Sequence, residues 1–123
     1  MASTLLNHTL LSVHDPATGR YDAKRFADVL AITQKEMASI VGYTPRGLGK
    51  NPTSSKLQDD LERLVLLVTK LRELLDGDMS LVRVWLKAPH PALGGAKPLE
   101  YLEEGRLELV EGLVHAIETG QPD

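Results

Sequence analysis

The side chains best suited to metal binding or proton transfer are His8, His14, His90 and His115, and they are scattered, with no two at the i, i+4 spacing of a helical ligand pair. The chain has no cysteine, and a zinc site needs at least three convergent ligands. The histidines therefore read as surface or internally satisfied residues. Two carboxylate pairs, Asp59-Asp60 and Glu103-Glu104, read as first-turn residues of helices, where negative charge complements the helix dipole. No Gly-x-Gly-x-x-Gly is present, and the glycine-rich run from Gly42 to Gly49 lacks the Lys-Ser/Thr ending of a phosphate loop. No nucleophile and base are suggestively spaced. Neither enzyme activity nor a cofactor is expected, which leaves recognition as the chemistry to look for.

The charge distribution points to two kinds of recognition. From Arg20 to Lys56 seven cations face three anions, a local +4, whereas from Lys97 to Asp123 two cations face seven anions, a local −5. Such polarity suits one end that meets a polyanion and another that meets something basic. The bland alternative is a chance arrangement of solvated charges.

Composition bounds the scaffold. A chain of 123 residues with 42% apolar but only 4% aromatic content has a core of Leu, Val, Ile and Ala, which favours an all-α fold over a β-sandwich. The start, Met1-Ala2-Ser3-Thr4-Leu5-Leu6, lacks the basic region of a signal peptide. No stretch approaches the ~18 apolar residues of a membrane span. These features and the missing cysteines fit a cytoplasmic protein with no membrane partner.

Residues 1–20 show no clean period and read as a flexible arm with a turn at Asp15-Pro16-Ala17-Thr18-Gly19. Asp22 can cap a helix over 22–31 that carries Phe26, Val29 and Leu30 on one face. Thr33-Gln34-Lys35-Glu36 is a capping box ahead of Met37, Ile40 and Val41. That helix stops at Gly42, and a second begins at Thr44 with Pro45 in its first position. Two short helices separated by a glycine-containing turn form the helix-turn-helix signature. Placed after one introductory helix, the pair resembles the Xre, repressor-type arrangement. The second helix would lie in the major groove. Thr44, Arg46 and Lys50 would reach base edges or phosphates, and Gln34 and Lys35 would meet the backbone at the start of the first helix. Gly47 and Gly49 weaken the second helix by about 1 kcal/mol each relative to Ala.

Residues 55–76 read as the longest helix, capped by Ser54 or Ser55. Leu57, Leu61, Leu64, Val68, Leu71 and Leu75 alternate spacings of four and three, and Val65, Leu66 and Leu67 widen the stripe until the middle is apolar nearly all round. This predicts a central core helix, with a dimer seam as the alternative. Met79–Leu86 predicts another helix, with Ser80 as a cap and Trp85 as a core residue. Pro98–Leu102 predicts one helical turn. A last helix over 106–119 has Leu107, Val110, Leu113, Val114 and Ile117 facing the core, with Glu104, Glu108, Glu111 and Glu118 on the wet side. Gly112 is a weak spot in it, or a place where a partner approaches closely. Gly120 fits the C′ position, leaving Gln121-Pro122-Asp123 as a tail.

Between these helices lies an elbow. Pro89 and Pro91 cannot continue a helix, Gly94-Gly95 permits a reversal, and Pro98 suits a helix start. Leu93 and Leu99 are expected to plug back into the core. The succession Trp85-Leu86, Pro-x-Pro-Ala-Leu-Gly-Gly, Lys97-Pro98-Leu99-Glu100-Tyr101-Leu102 and Glu104-Gly105 resembles the C-terminal toxin-binding domain of the Xre/MbcA/ParS antitoxins, with His90 where an Asn is usual. These antitoxins partner RES-domain toxins, which attack NAD.

The resemblance is strongest over about 79–120 and implies an antitoxin that neutralises a RES-domain toxin by direct binding and represses its own operon. The implied architecture is all-α. A flexible arm (1–20) leads into a helix-turn-helix bundle with the long connecting helix (21–76), then a C-terminal toxin-binding module (77–123). The implied partners are the toxin, operator DNA and a second copy in a homodimer. The residues assigned to the toxin are His90, Leu93, Gly94, Gly95 and Lys97 of the elbow, Glu111 and Glu118 of the last helix, and Gln121 and Asp123 of the tail. Alternatives are a stand-alone transcriptional regulator whose C-terminal part only dimerises, and a helical adaptor with a degenerate helix-turn-helix.

Overall fold

The computed structural model describes residues 12–120, and these are all-α, with seven α-helices and no strand. The chain divides into two compact units, one ending at Val65 and the other beginning at Leu66.

In the first unit, part of the expected arm is closed structure. Asp15 caps its own turn, accepting from the Ala17 amide (3.1 Å) and the Thr18 hydroxyl (3.1 Å), and its carbonyl accepts from Gly19 N–H at 2.7 Å. His14 and Tyr21 pair across this turn as an isolated antiparallel bridge, with ring centroids 4.6 Å apart. Val13 is fully buried. Within the arm read over 1–20, residues 12–20 hold the expected turn and this local pairing, which leaves no periodic trace; residues 1–11 lie outside the described residues.

Helix α1 (Ala23–Leu30) starts where the Asp22 carboxylate accepts from the amides of Lys24 and Arg25 (2.9 and 3.2 Å). Helix α2 (Gln34–Val41) carries the full capping box. Glu36 N–H donates to Thr33 Oγ1 (3.0 Å), and Thr33 N–H donates to Glu36 Oε1 (2.8 Å). It ends at Gly42 with φ 73°, a left-handed cap that suits glycine. After Gly42-Tyr43-Thr44 comes α3 (Pro45–Lys50), with Thr44 Oγ1 accepting from Gly47 N–H at 3.0 Å. The three helices pack on one another around buried Phe26, Leu30, Met37 and Leu48.

A 3-10 turn (Ser55–Leu57), capped by Ser54, leads into the long helix α4 (Gln58–Leu74). Its first residue, Gln58, clamps the N-terminal loop. Its Oε1 accepts from Tyr21 N–H (2.8 Å), and its Nε2 donates to the carbonyls of Tyr21 (3.0 Å) and Ser54 (3.1 Å). Burial, with the negative charge of Glu62 behind it, raises the Tyr21 phenol above its ordinary pKa. Leu57, Leu61, Leu64 and Val65 complete this core.

The second unit begins inside α4, where Leu67, Val68 and Leu71 are buried. Leu66 is 64% exposed, which corrects the reading of an all-round apolar middle. Leu66 points away from the stripe, as one buried face of a single helix leaves its opposite side wet. The buried cation Arg72 closes the turn that follows, its Nε donating to the Gly77 carbonyl (2.9 Å) while Gly77 N–H donates back to the Arg72 carbonyl (2.8 Å). Asp76 and Gly77 both take positive φ (60° and 76°).

Helix α5 (Met79–Lys87) is capped by Asp78, which accepts from Ser80 N–H (2.9 Å) and from the Ser80 hydroxyl (2.6 Å). Ser80 is thus the donor to the cap rather than the cap. These hydrogen bonds hold the Asp78 carboxyl below its ordinary pKa. Helix α6 (Pro98–Glu103) packs against α5 and against α7 (Leu107–Thr119). Glu103 and Glu104 fall at the C-terminal end of α6, not at a helix start, because Gly105 (φ 76°) breaks the chain just after them. Arg106 partly offsets this placement, pairing with Glu104 at 3.8 Å. No helix among the described residues is long and apolar enough to cross a membrane.

Candidate partner-binding surfaces

In the first unit, Gln34, Lys35, Thr44, Arg46 and Lys50 are all exposed. They lie at the start of α2 and along the six residues of α3 and its cap. Thr44 has a structural duty as the α3 cap, which uses an oxygen lone pair and leaves its hydroxyl hydrogen to donate. The two glycines of α3 differ. A Cβ on Gly47 would lie 3.1 Å from Thr44 Oγ1, whereas a Cβ on Gly49 would meet only Gln34 Oε1, at 4.0 Å. Gly47 therefore makes room for the cap. Gly49 opens onto Gln34, so the start of α2 and the end of α3 share one exposed face.

In the second unit, the elbow is a closed loop. His90 N–H donates to the Ala96 carbonyl, and the His90 carbonyl accepts from Leu93 and Gly95, all at 3.0 Å. Gly94 and Gly95 turn the chain with φ 65° and 87°, a region that costs a side chain strain. The His90 ring caps the 3-10 turn Pro91–Leu93, Nδ1 accepting from Ala92 N–H at 3.2 Å. An imidazole nitrogen thus does the work of a short polar side chain at this position. Leu93 and Leu99 are buried, as the plug reading expects. The Tyr101 hydroxyl donates to the Leu93 carbonyl (3.3 Å), tying the elbow to α6. Lys97 is exposed and occupies the N-cap position of α6 without a side-chain cap.

Trp85 is not a core residue. The buried stripe of α5 is Met79, Val82 and Leu86. Trp85 stands at its flank, half-buried, with its ring 6.0 Å from that of His90. Leu81 and Val84 on the same helix are 43% and 64% exposed. On α7, Val110, Leu113 and Val114 are buried, but Leu107 is only half-buried and Ile117 is 42% exposed. Ile117 continues the stripe by its spacing, yet it lies in the last turn, beyond the reach of the core.

The two acidic candidates on α7 lie on one side of it. Glu118 holds Lys70 at 3.0 Å and approaches His115 Nδ1 at 3.8 Å. The pair raises the Lys70 pKa, through its hydrogen bond to Glu118 first and the charge second. Glu111 borders the same shallow cavity with Leu66, Leu67 and Val114. Gln121 and Asp123 lie outside the described residues.

A second groove, of about 260 Å³, brings together Ala92 and Leu93 of the elbow, Tyr101 of α6, and Leu109, Leu113 and Ala116 of α7. Among these, sequence reasoning assigns only Leu93 to a partner. Leu109 offers a signal, as an apolar residue off the buried stripe of its helix. Among the described residues, no group of three His, Asp or Glu side chains is placed to hold a metal ion.

No curated protein matches the chain. Residues 70–120, all in the second unit, match the model of the antitoxin Xre/MbcA/ParS C-terminal toxin-binding domain, which supports a toxin-binding antitoxin and implies a toxin partner.

Proposed function

We propose that the chain is the antitoxin of a RES-domain toxin that degrades NAD, and that it also represses its own operon as a dimer through α2 and α3. The observation that carries this reading is the toxin-binding match over 70–120. The same unit holds every large exposed apolar side chain among the described residues: Leu66, Leu81, Val84, Leu109 and Ile117. An enzyme that handles a dinucleotide needs cations for its phosphates. The net −5 of residues 97–123 complements such a cleft, and Gln121 and Asp123 are the residues we assign to it. The cationic exposed face of α2 and α3 suits DNA phosphates.

Co-expression tests this. The reading expects a RES-domain protein in a neighbouring reading frame; expressed alone, that protein should deplete NAD and arrest growth, and co-expression of this chain should restore both. A chain ending at Thr119 should fold but protect poorly. Full protection by that truncated chain removes the tail from the mechanism; failure of the full chain to protect overturns the antitoxin reading. The exposed Leu81 and Val84 on α5 favour a second reading, a stand-alone regulator whose C-terminal unit dimerises. That protein would bind its operator and leave NAD loss unchanged.

A further inference from the structure

The groove between the elbow and α7 has the character of a seat for a side chain. Its volume of about 260 Å³ is below the roughly 300–1,000 Å³ of small-molecule pockets. Its walls are fixed before any partner arrives, by the hydrogen bonds that close the elbow between His90 and Ala96 and by the Tyr101 hydroxyl on the Leu93 carbonyl. Arg106 stacks 4.9 Å from the centre of the Tyr101 ring and pairs with Glu104, so its charge is already engaged.

Beside the groove is Gly112. It sits within α7, exposed, three residues after Leu109 and four before Ala116, and so on their face of the helix. Glycine there costs about 1 kcal/mol relative to alanine. Among the described residues nothing requires it: its φ is not positive, and an added Cβ would meet no described atom within 4 Å. The absent side chain leaves the α7 backbone open to close approach from outside. Glu108, one turn earlier on the same face, is exposed, and the segment around it is strongly acidic.

We infer that this groove receives an apolar side chain of the toxin, flanked there by Lys or Arg, with the toxin's surface lying directly over Gly112. The inference rests on the antitoxin reading. It takes the toxin as occupant because the groove lies inside the toxin-binding match and because exposed Glu108 on the face of Gly112, in a segment of net −5, complements a cation-rich partner.

The test is calorimetric titration of the 123-residue chain with the cognate RES-domain toxin that the antitoxin reading proposes, at low and high salt. Gly112→Leu fills the approach with a good helix former, so its melting temperature should not fall, while affinity should drop by roughly 30-fold, the loss typical of a blocked hot spot. Leu109→Ala trims the groove mouth at a partly exposed position and should weaken binding by about tenfold. Asp28→Asn, exposed on α1 of the first unit, should leave affinity unchanged. Affinity of the wild type should fall with salt. If the wild type binds and both Gly112→Leu and Leu109→Ala bind as well as it does, the groove is not the seat and the antitoxin reading stands. If Asp28→Asn weakens binding as much as they do, the groove assignment also fails. If the wild type binds no RES-domain protein, the reading falls and the inference falls with it.

Discussion

The two units solve the same packing problem differently. Every described helix of the first unit begins with a side-chain cap: Asp22, Thr33, Thr44 and, for the 3-10 turn that opens the long helix, Ser54. Among its described residues no large apolar side chain is exposed, and its outer surface over α2 and α3 is polar and cationic. In the second unit α6 and α7 start without a side-chain cap, at Lys97 and Arg106, and five large apolar residues stand exposed. Single exposed apolar residues are ordinary. Their concentration in one unit, beside a preformed groove, is the mark of a surface meant to be covered. Among the described residues the first unit covers its own core, whereas the exposed face of the second is the one we propose a partner covers.

Aromatic truncations should break or sustain that contrast most strongly. Phe26 is fully buried in the first unit, so Phe26→Ala should cost about 3–5 kcal/mol in a denaturation experiment. Trp85→Ala in the second unit should cost less, about 2–3 kcal/mol, because the residue is only partly buried. Equal costs would mean that the Trp85 flank is as closed as the first core. The next effect is on DNA. Arg46→Ala with Lys50→Ala should lower the slope of log affinity against log salt by about 0.9 for each phosphate that is no longer neutralised. Toxin neutralisation should be untouched. An unchanged slope would remove α3 from the DNA surface. The smallest effect separates scaffold from reader. Gly49→Ala has open space and an ordinary helical φ, so it should raise stability by about 1 kcal/mol. A drop in stability would show that the end of α3 is packed more tightly than its glycine implies.

What the sequence made legible was local. The capping box of Thr33 and Glu36, the Thr44-Pro45 start, the Gly42 and Gly120 stops and the elbow's reversal each depend on residues within a few positions of one another, and each stands where the spacing put it. The misreadings lie in tertiary choices. Periodicity marked Leu66, Trp85 and Ile117 as apolar, but which face of a helix is covered depends on neighbours distant in the chain. Gln58 clamps a loop 37 residues earlier, and Arg72 buries its charge against a turn carbonyl; neither residue type announces such a role. The groove was hidden for the same reason, since Leu93 and Leu109 come from separate elements. The surfaces read for DNA and toxin remain proposals built on exposure, charge and the match over 70–120.

Hydrogen exchange on the 123-residue chain, alone and with the proposed RES-domain toxin, tests the division of labour most directly. The account predicts slowed exchange in the elbow around Leu93–Ala96 and along α7, with α2 and α3 unchanged; operator DNA should produce the reverse. Toxin protection centred on α2 and α3, with the elbow and α7 exchanging as in the isolated chain, would contradict it.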